Sequence, residues 1–488
     1  MRCFGVIVSV YKYRRRVSDQ SNYSPNNDSV GIKARYRMNR LFIAFTVCLV
    51  ALVVQAPKCA CTSLTVEESV HRVLNFSTTV YSKLASSGSE GNFIFSPFSI
   101  WSSLVSMVYN CVTGQAGKEL ASFLGVSYYS SRQNQETLSN YIKESFSRQQ
   151  VDMHVVNQRL SVDFTSSSCA NSYRLQCKKV QGQFFSANFS DDESREWLGD
   201  VMWSYLETDD AKSVFEDDQF KEASTNYVLV DAIRLAQSAA LRFGYSRQSI
   251  QTFRLDKNQT VKVTYIEAKK GSVYYTGLPD YKAIAIAIPF ASGYMVIIRP
   301  DDPDGLESVA EVLPELTLTD PAADWKLVRV DGLIFPKIDF GLDRSSHSAA
   351  ELGIGNLTLF SPLAEITSFP DGVYLEDFRH KSLLSVEYNG VVSRGDPELI
   401  KDAEVFPEIK VDSPFLFYVK QDHLLLFLGR VLDPSRLQGP PEESATVQHT
   451  VNGTTQDTTN PTGCACVTYR DWKLYPTQAL LGDQYCYV

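Results

Sequence analysis

"IKVDSPFLFYV" (409–419) and "LLLFLGRVLDP" (424–434) stand close together late in the chain, and their reading decides the fold. Both are dense in β-branched, aromatic and leucine side chains, the composition of strands buried in a sheet. Eighteen mostly polar residues, "NGVVSRGDPELIKDAEVF" (389–406), separate them from another buried-looking run, "HKSLLSVEY" (380–388). A loop of that length inside a compact domain is a working part, a remnant of one, or connecting chain.

Working outward, "YVLVDAI", "TVKVTYI", "AIAIAIPF", "YMVIIRP" and "WKLVRVDGLIF" are β-branched or alternate with period two, and so read as strands. Helical patterns come earlier. "VEESVHRVLNFSTTVYSKLAS" sets Val70, Val73, Leu74, Val80 and Leu84 near one face, and "FSIWSSLVSMVYNCV" is apolar nearly all round, the pattern of a helix inside the protein. "GKELASFLG" ends on Gly125, a helix stop. "DDESREWLGDVMWSYLET" has acids at its start and aligns Trp197, Val201 and Tyr205. Helices early and strands late predict an α+β protein with large, mostly antiparallel sheets.

The chain has 488 residues, 44% hydrophobic, with net charge -9. Ten positive against two negative side chains in residues 1–61 leave -17 on the remainder. A body that acidic argues against nucleic acid and heparin-like partners, which need clustered Lys and Arg. The basic end has a local cause: "RYRMNR" precedes sixteen uncharged, nearly all apolar residues (41–56). This is the pattern of a secretory signal, slightly short for a bilayer span of about 20 residues. Residues 38–61 are therefore read as a signal peptide, with a retained signal-anchor as the other reading. Residues 1–37 are read as an upstream extension outside the fold. A cleaved signal predicts a secreted, extracellular protein with no stable membrane insertion.

Sequons at Asn75, Asn188, Asn258, Asn356 and Asn452 are glycosylation candidates, usable only in the secretory route. "CANSYRLQC" offers a small disulfide loop between Cys169 and Cys177, with two free thiols as the alternative. A main domain over 62–434 is followed by 435–488, a Pro/Thr/Gln-rich flexible tail leading to three cysteines. The six histidines form no H-E-x-x-H pair, and no G-x-S-x-G elbow, Walker or dinucleotide glycine pattern occurs. No metal site or cofactor is expected, and no enzyme.

The C-terminal strands resemble the signature of the serpin family, and other segments follow in that family's order. "NFIFSPFSI", "GQAGKELASFLG", "YVLVDAIRL", "IFPKIDF", "LGIGNLTLFSPLAEIT" and "HKSLLSVEYNG" each resemble a serpin segment, and together they cover about residues 66–434. The resemblance implies that 389–406 is a reactive-centre loop. In inhibitory serpins a protease cuts this loop, and the part ahead of the cut inserts as a new central strand.

With Gly390 as the hinge glycine, the residues facing inward on insertion are Val391, Ser393, Gly395 and Pro397. The first three suit a central strand. Pro397 does not, because it lacks the N–H that a ladder requires. Counting from Gly390 places the cut after Glu404, before Val405, whereas counting back from Pro414 places it after Ala403.

Asp231 stands where the family has asparagine, and His380 keeps the family's histidine. With Ser96 and Ser99, these mark the family's shutter, where the sheet opens. Asp231 and His380 are expected to meet, either as a buried ion pair or as a neutral hydrogen-bonded pair. Two functions follow from the resemblance. Pro397 favours a non-inhibitory binding, carrier or precursor serpin with a secreted ligand. The alternative is a suicide inhibitor of an extracellular serine or cysteine protease.

Overall fold

The computed structural model describes residues 66–86, 91–110, 112–129, 132–153, 155–163, 182–186, 191–206, 227–235, 245–290, 293–341, 346–361, 364–366, 374–386 and 404–438. The signal segment, Cys169, Cys177, Asn188, Asn452, the tail beyond 438 and loop residues 387–403 lie outside the described residues.

Helix α1 (Val66–Ser86) buries Val70, Val73, Leu74, Val80 and Leu84, the stripe its periodicity predicts. Strand β1 (Phe93–Phe95) precedes α2 (Pro97–Asn110). That helix buries Phe98, Ile100, Trp101 and Leu104 together with Ser99, Ser102 and Ser103, so it runs through the interior. After β2 (Val112–Thr113), α3 (Gly114–Phe123) ends at Gly125, whose φ of 68° suits glycine. The Val126 N–H then reaches the Ala121 carbonyl at 2.9 Å and closes the last turn. Helix α4 (Arg132–Met153) is mostly polar and buries a narrow seam of Leu138, Ile142 and Phe146.

Strands β3 (Val155–Asp163) and β4 (Gly182–Ser186) lead to α5 (Asp192–Leu206). Here the line formed by Trp197, Val201 and Tyr205 is not the most buried one. Leu198, Met202 and Leu206 are buried, whereas Trp197 and Tyr205 are 45% and 41% exposed. The buried line packs with Leu160, Val228, Val230 and Ala232. Compact aliphatic side chains interlock with that small-residue sheet face better than large rings do.

The rest is mostly strand: β5 (Tyr227–Leu235), β6 (Tyr245–Arg254), β7 (Thr260–Leu278), β8 (Ala283–Phe290) and β9 (Gly293–Pro300). Three short helices follow, α6 (Leu306–Ala310), α7 (Leu313–Leu318) and α8 (Pro321–Asp324). Then come β10 (Lys326–Pro336), β11 (Ile338–Asp339), β12 (Ser346–Ser348), β13 (Glu365–Ile366) and β14 (Asp377–Val386). The last strands are β15 (Val405–Phe406), β16 (Ile409–Lys410), β17 (Phe415–Gln421) and β18 (Leu424–Val431).

Among the described residues these form a ten-stranded, a six-stranded and a two-stranded sheet. The large sheet runs β1-β18-β17-β9-β8-β7-β10-β15, with β6 on β7 and β16 on β10. The opening pair, β17 and β18, is buried along its whole length. A Cβ on Gly429 would stand 2.4 Å from the Phe93 carbonyl oxygen and 2.8 Å from the Phe417 ring, so only glycine lets β18 sit against β1.

The six-stranded sheet runs β11-β14-β5-β3-β4, with β12 on β14. Its central pair, β5 and β14, is parallel and continuous, from Asp377↔Val228 to Leu384↔Leu235. Parallel neighbours this far apart in sequence form a seam rather than a hairpin, and α2 lies beneath it.

Candidate functional site

Asp231 on β5 and His380 on β14 are partners in the seam's register. Both are fully buried, and His380 Nδ1 lies 2.8 Å from Asp231 Oδ2. Below them α2 begins, with Ser96 as its cap: the Ser96 hydroxyl oxygen accepts from the Ser99 N–H at 3.3 Å. The Ser96 N–H, an orphan donor at the helix start, points at His380 Nε2 from 2.9 Å. A backbone N–H can only donate, so Nε2 must accept, and the ring carries its proton on Nδ1. Of the two forms open from the sequence, this geometry holds the neutral hydrogen-bonded pair.

The carboxylate charge is met from the other side. Arg159 on β3 donates through Nε to Asp231 Oδ1 at 2.9 Å, and the Ser103 hydroxyl donates to the same oxygen at 2.9 Å. Arg159 Nη2 donates to the Ser99 carbonyl at 3.2 Å and to the Ser102 hydroxyl. Its guanidinium also lies 4.6 Å from the Phe146 ring centroid. Asn157 donates to the Ser99 hydroxyl at 2.6 Å and the Ala232 carbonyl at 3.2 Å. Burial alone would push the Asp231 carboxyl up. The His380 hydrogen bond and the Arg159 charge outweigh it and hold the group below the usual carboxylate range.

The Ser382 hydroxyl lies 2.8 Å from His380 Nε2, so Ser382, His380 and Asp231 line up in the order of a hydrolytic triad. All three are 0% exposed, and the Nε2 lone pair is shared with the Ser96 N–H. A nucleophile sealed in this way has no substrate within reach, and the cluster acts as a clasp across the seam. Ser96, Ser99, Asp231 and His380 were legible in the sequence. Arg159, Asn157, Ser102, Ser103 and Ser382 were not, because only the fold brings these strand and helix positions to one point.

Of the loop residues, Gly390, Val391, Ser393, Gly395, Pro397 and Ala403 lie outside the described residues. Glu404 and Val405 are at its far end, where β15 pairs in parallel with β10. The Glu404 carbonyl accepts from the Arg329 N–H at 3.0 Å, the Glu404 carboxylate meets Lys326, and Phe406 packs on Tyr275 at 4.9 Å between ring centroids. Among the sequons, Asn75, Asn258 and Asn356 are exposed. Elsewhere, a groove of about 380 Å³ lies between α1 and α6–α7, lined by Tyr81, Ser82, Glu307, Glu311, Leu313 and Pro314.

Two parallel strands far apart in sequence, clasped by buried polar groups over an internal helix, form the centre of this fold. The family model described as Serpin (serine protease inhibitor) matches residues 71–434, and the chain belongs to the serpin family. Serpin-Z3 of Arabidopsis thaliana is 24% identical over 289 residues, 54% of this chain and 71% of that protein. The crystal structure of Serpin48 from Tenebrio molitor superposes with a TM-score of 0.63 at 20% identity, over 76% of this chain and 99% of that one. Human thyroxine-binding globulin gives 0.60 at 18% identity, over 75% and 98%. At these identities the structural likeness speaks to the fold alone.

Proposed function

We propose that this chain is an exported, glycosylated serpin whose reactive-centre loop does not insert, and that it serves as a binding, carrier or precursor protein. The observation that carries this reading is the unbroken β5–β14 ladder, clasped by His380 and Asp231, into which a segment bearing Pro397 would have to pass. Opening the seam removes an eight-residue ladder and a hydrogen bond to a charged carboxylate. Bonds of the latter kind contribute about 1.5–3 kcal/mol each. The entering strand would then leave the acceptor opposite Pro397 without a partner.

The carrier form has a concave site to offer in the groove between α1 and α6–α7. Thyroxine-binding globulin, a relative in fold, is known in complex with thyroxine.

Suicide inhibition of an extracellular serine or cysteine protease is the second reading. It is favoured by the family's description and by the anchoring of Glu404 on β10, which fixes one end of the loop as bait. In that case the cut after Ala403 is favoured over the one after Glu404, since the chain from Glu404 onward is tied to the sheet. The deciding experiment is thermal unfolding before and after proteolytic nicking of the loop. An unchanged transition supports the non-inserting protein. A large rise, or an SDS-stable complex with an elastase-type protease, supports the inhibitor.

A further inference from the structure

An asparagine-linked glycan is added where the chain offers two groups at once, the Asn carboxamide and the hydroxyl two residues on. Three sequons fall wholly within the described residues, at Asn75, Asn258 and Asn356, and all three asparagines are exposed. Their hydroxyls differ.

In α1 the Ser77 side chain is buried, and its hydroxyl donates to the Leu74 carbonyl at 2.6 Å. Helical spacing is the cause, because positions i and i+2 do not face each other. No catalytic site can grip the Asn75 amide and the Ser77 hydroxyl together while α1 is intact. At Asn356 the obstacle is a carboxylate. Thr358 opens a short 3-10 turn (Thr358–Phe360), where its N–H and its hydroxyl both donate to Glu119 Oε2, at 3.0 and 2.7 Å. The Gln115 amide holds the other Glu119 oxygen at 2.9 Å. These bonds keep the Glu119 carboxyl below its usual range, so it remains a charged and strong acceptor.

Asn258 stands at the tip of the β6–β7 hairpin. There Asp256 Oδ1 accepts from the Asn258 and Gln259 N–H groups at 2.6 and 2.8 Å. This Asx turn settles the backbone without using the Asn258 side chain. Lys257 pins the tip to the connection between β9 and α6 through Asp302 and Asp304, at 3.2 and 2.8 Å. Thr260 then opens β7 and is exposed, and its hydroxyl has no partner among the described residues. The step from Asn258 to Thr260 thus leaves the turn for extended chain, in which residues two apart share a face.

We propose that Asn258 is the sequon that accepts a glycan on the folded chain, whereas Asn75 and Asn356 are open to the same transfer only before folding. The inference rests on the export reading, since donor and enzyme occur only in the secretory route. In the transfer, Asn258 Nδ2 bonds to C1 of the first sugar of a lipid diphosphate oligosaccharide. The bond from C1 to the diphosphate oxygen breaks, the lipid diphosphate leaves with that electron pair, and the Nδ2 proton passes to a base of the enzyme.

The test takes the full chain, prepared without glycan, and incubates it with a purified oligosaccharyltransferase and a lipid diphosphate oligosaccharide. Mass spectrometry of glycopeptides reads each site, and peptides spanning 72–80, 255–263 and 353–361 give each sequon's rate in unfolded chain. Relative to its own peptide, Asn258 should react about tenfold faster than Asn75 or Asn356, the factor expected where a hydrogen bond must first be broken. Glu119→Ala, which frees the Thr358 hydroxyl, should raise Asn356 modification by about the same factor. Asn75 should stay closed in that variant, which separates local release from unfolding. Equal relative rates at the three sites, an unmodified Asn258, or no rise at Asn356 in Glu119→Ala each overturns the inference. Export is read separately, as appearance of the chain in the medium of secretory cells, so either reading can fail without the other.

Discussion

His380 on β14 donates through Nδ1 to Asp231 on β5 at 2.8 Å, and its other ring nitrogen accepts the Ser96 N–H at the head of α2 at 2.9 Å. One imidazole thus joins both sides of the seam to the helix beneath it. The charge it faces is neutralised not by the ring but by Arg159, on the far side of Asp231.

Because Arg159 and Asp231 are 3% and 0% exposed, removing one partner strands the other in the core. Asp231→Asn, the family's own residue, should cost about 3–5 kcal/mol in urea unfolding, the usual cost of leaving a buried charge unpaired. Adding Arg159→Met should recover most of that loss. An Asp231→Asn protein as stable as the parent would show that the pair does not carry the charge balance described here.

Acid should act through the same carboxylate. Its folded value lies below that of the unfolded chain, so its stabilisation is complete above the unfolded value, about 3.9, and is lost as pH falls through the folded one. Asp377 has the opposite sign, because burial, only partly offset by Arg379, raises its carboxyl. Urea midpoints measured from about pH 6 to 3 should fall less steeply in Asp231→Asn than in the parent. Parallel curves would remove Asp231 from the acid response.

On the insertion register expected from Gly390, Pro397 is the one inward-facing residue that lacks an N–H for the ladder. Nicking the parent loop should leave the thermal midpoint unchanged, whereas nicking a Pro397→Ala variant should raise it. If neither responds, the block to insertion lies in the seam and not in the proline.

Gly429→Ala tests the packing of β18 on β1. The added methyl meets backbone at 2.4 Å, which side-chain rotation cannot relieve, so a loss of about 1–3 kcal/mol or more in chemical denaturation is expected. A neutral substitution would mean that the two strands part more readily than their contacts indicate.

Much of the architecture was legible from pattern alone. The burial of β17 and β18, the all-round burial of α2 and the glycine stop after α3 follow from side-chain periodicity and φ preference, which are local properties. Helix α4 was not announced, because three spaced apolar residues in a polar run make a weak signal.

By itself the sequence determined the family and the meeting of Asp231 with His380. Tertiary structure alone decided how Asp231 is neutralised. "VVNQRLSVD" reads as a polar strand, and nothing in it marks Arg159 as buried until β3 is laid beside β5. The same is true of α5, which carries two possible inner faces three residues wide. The sheet chose the aliphatic one because packing rewards shape complementarity rather than hydrophobicity alone, and it left the tryptophans outside.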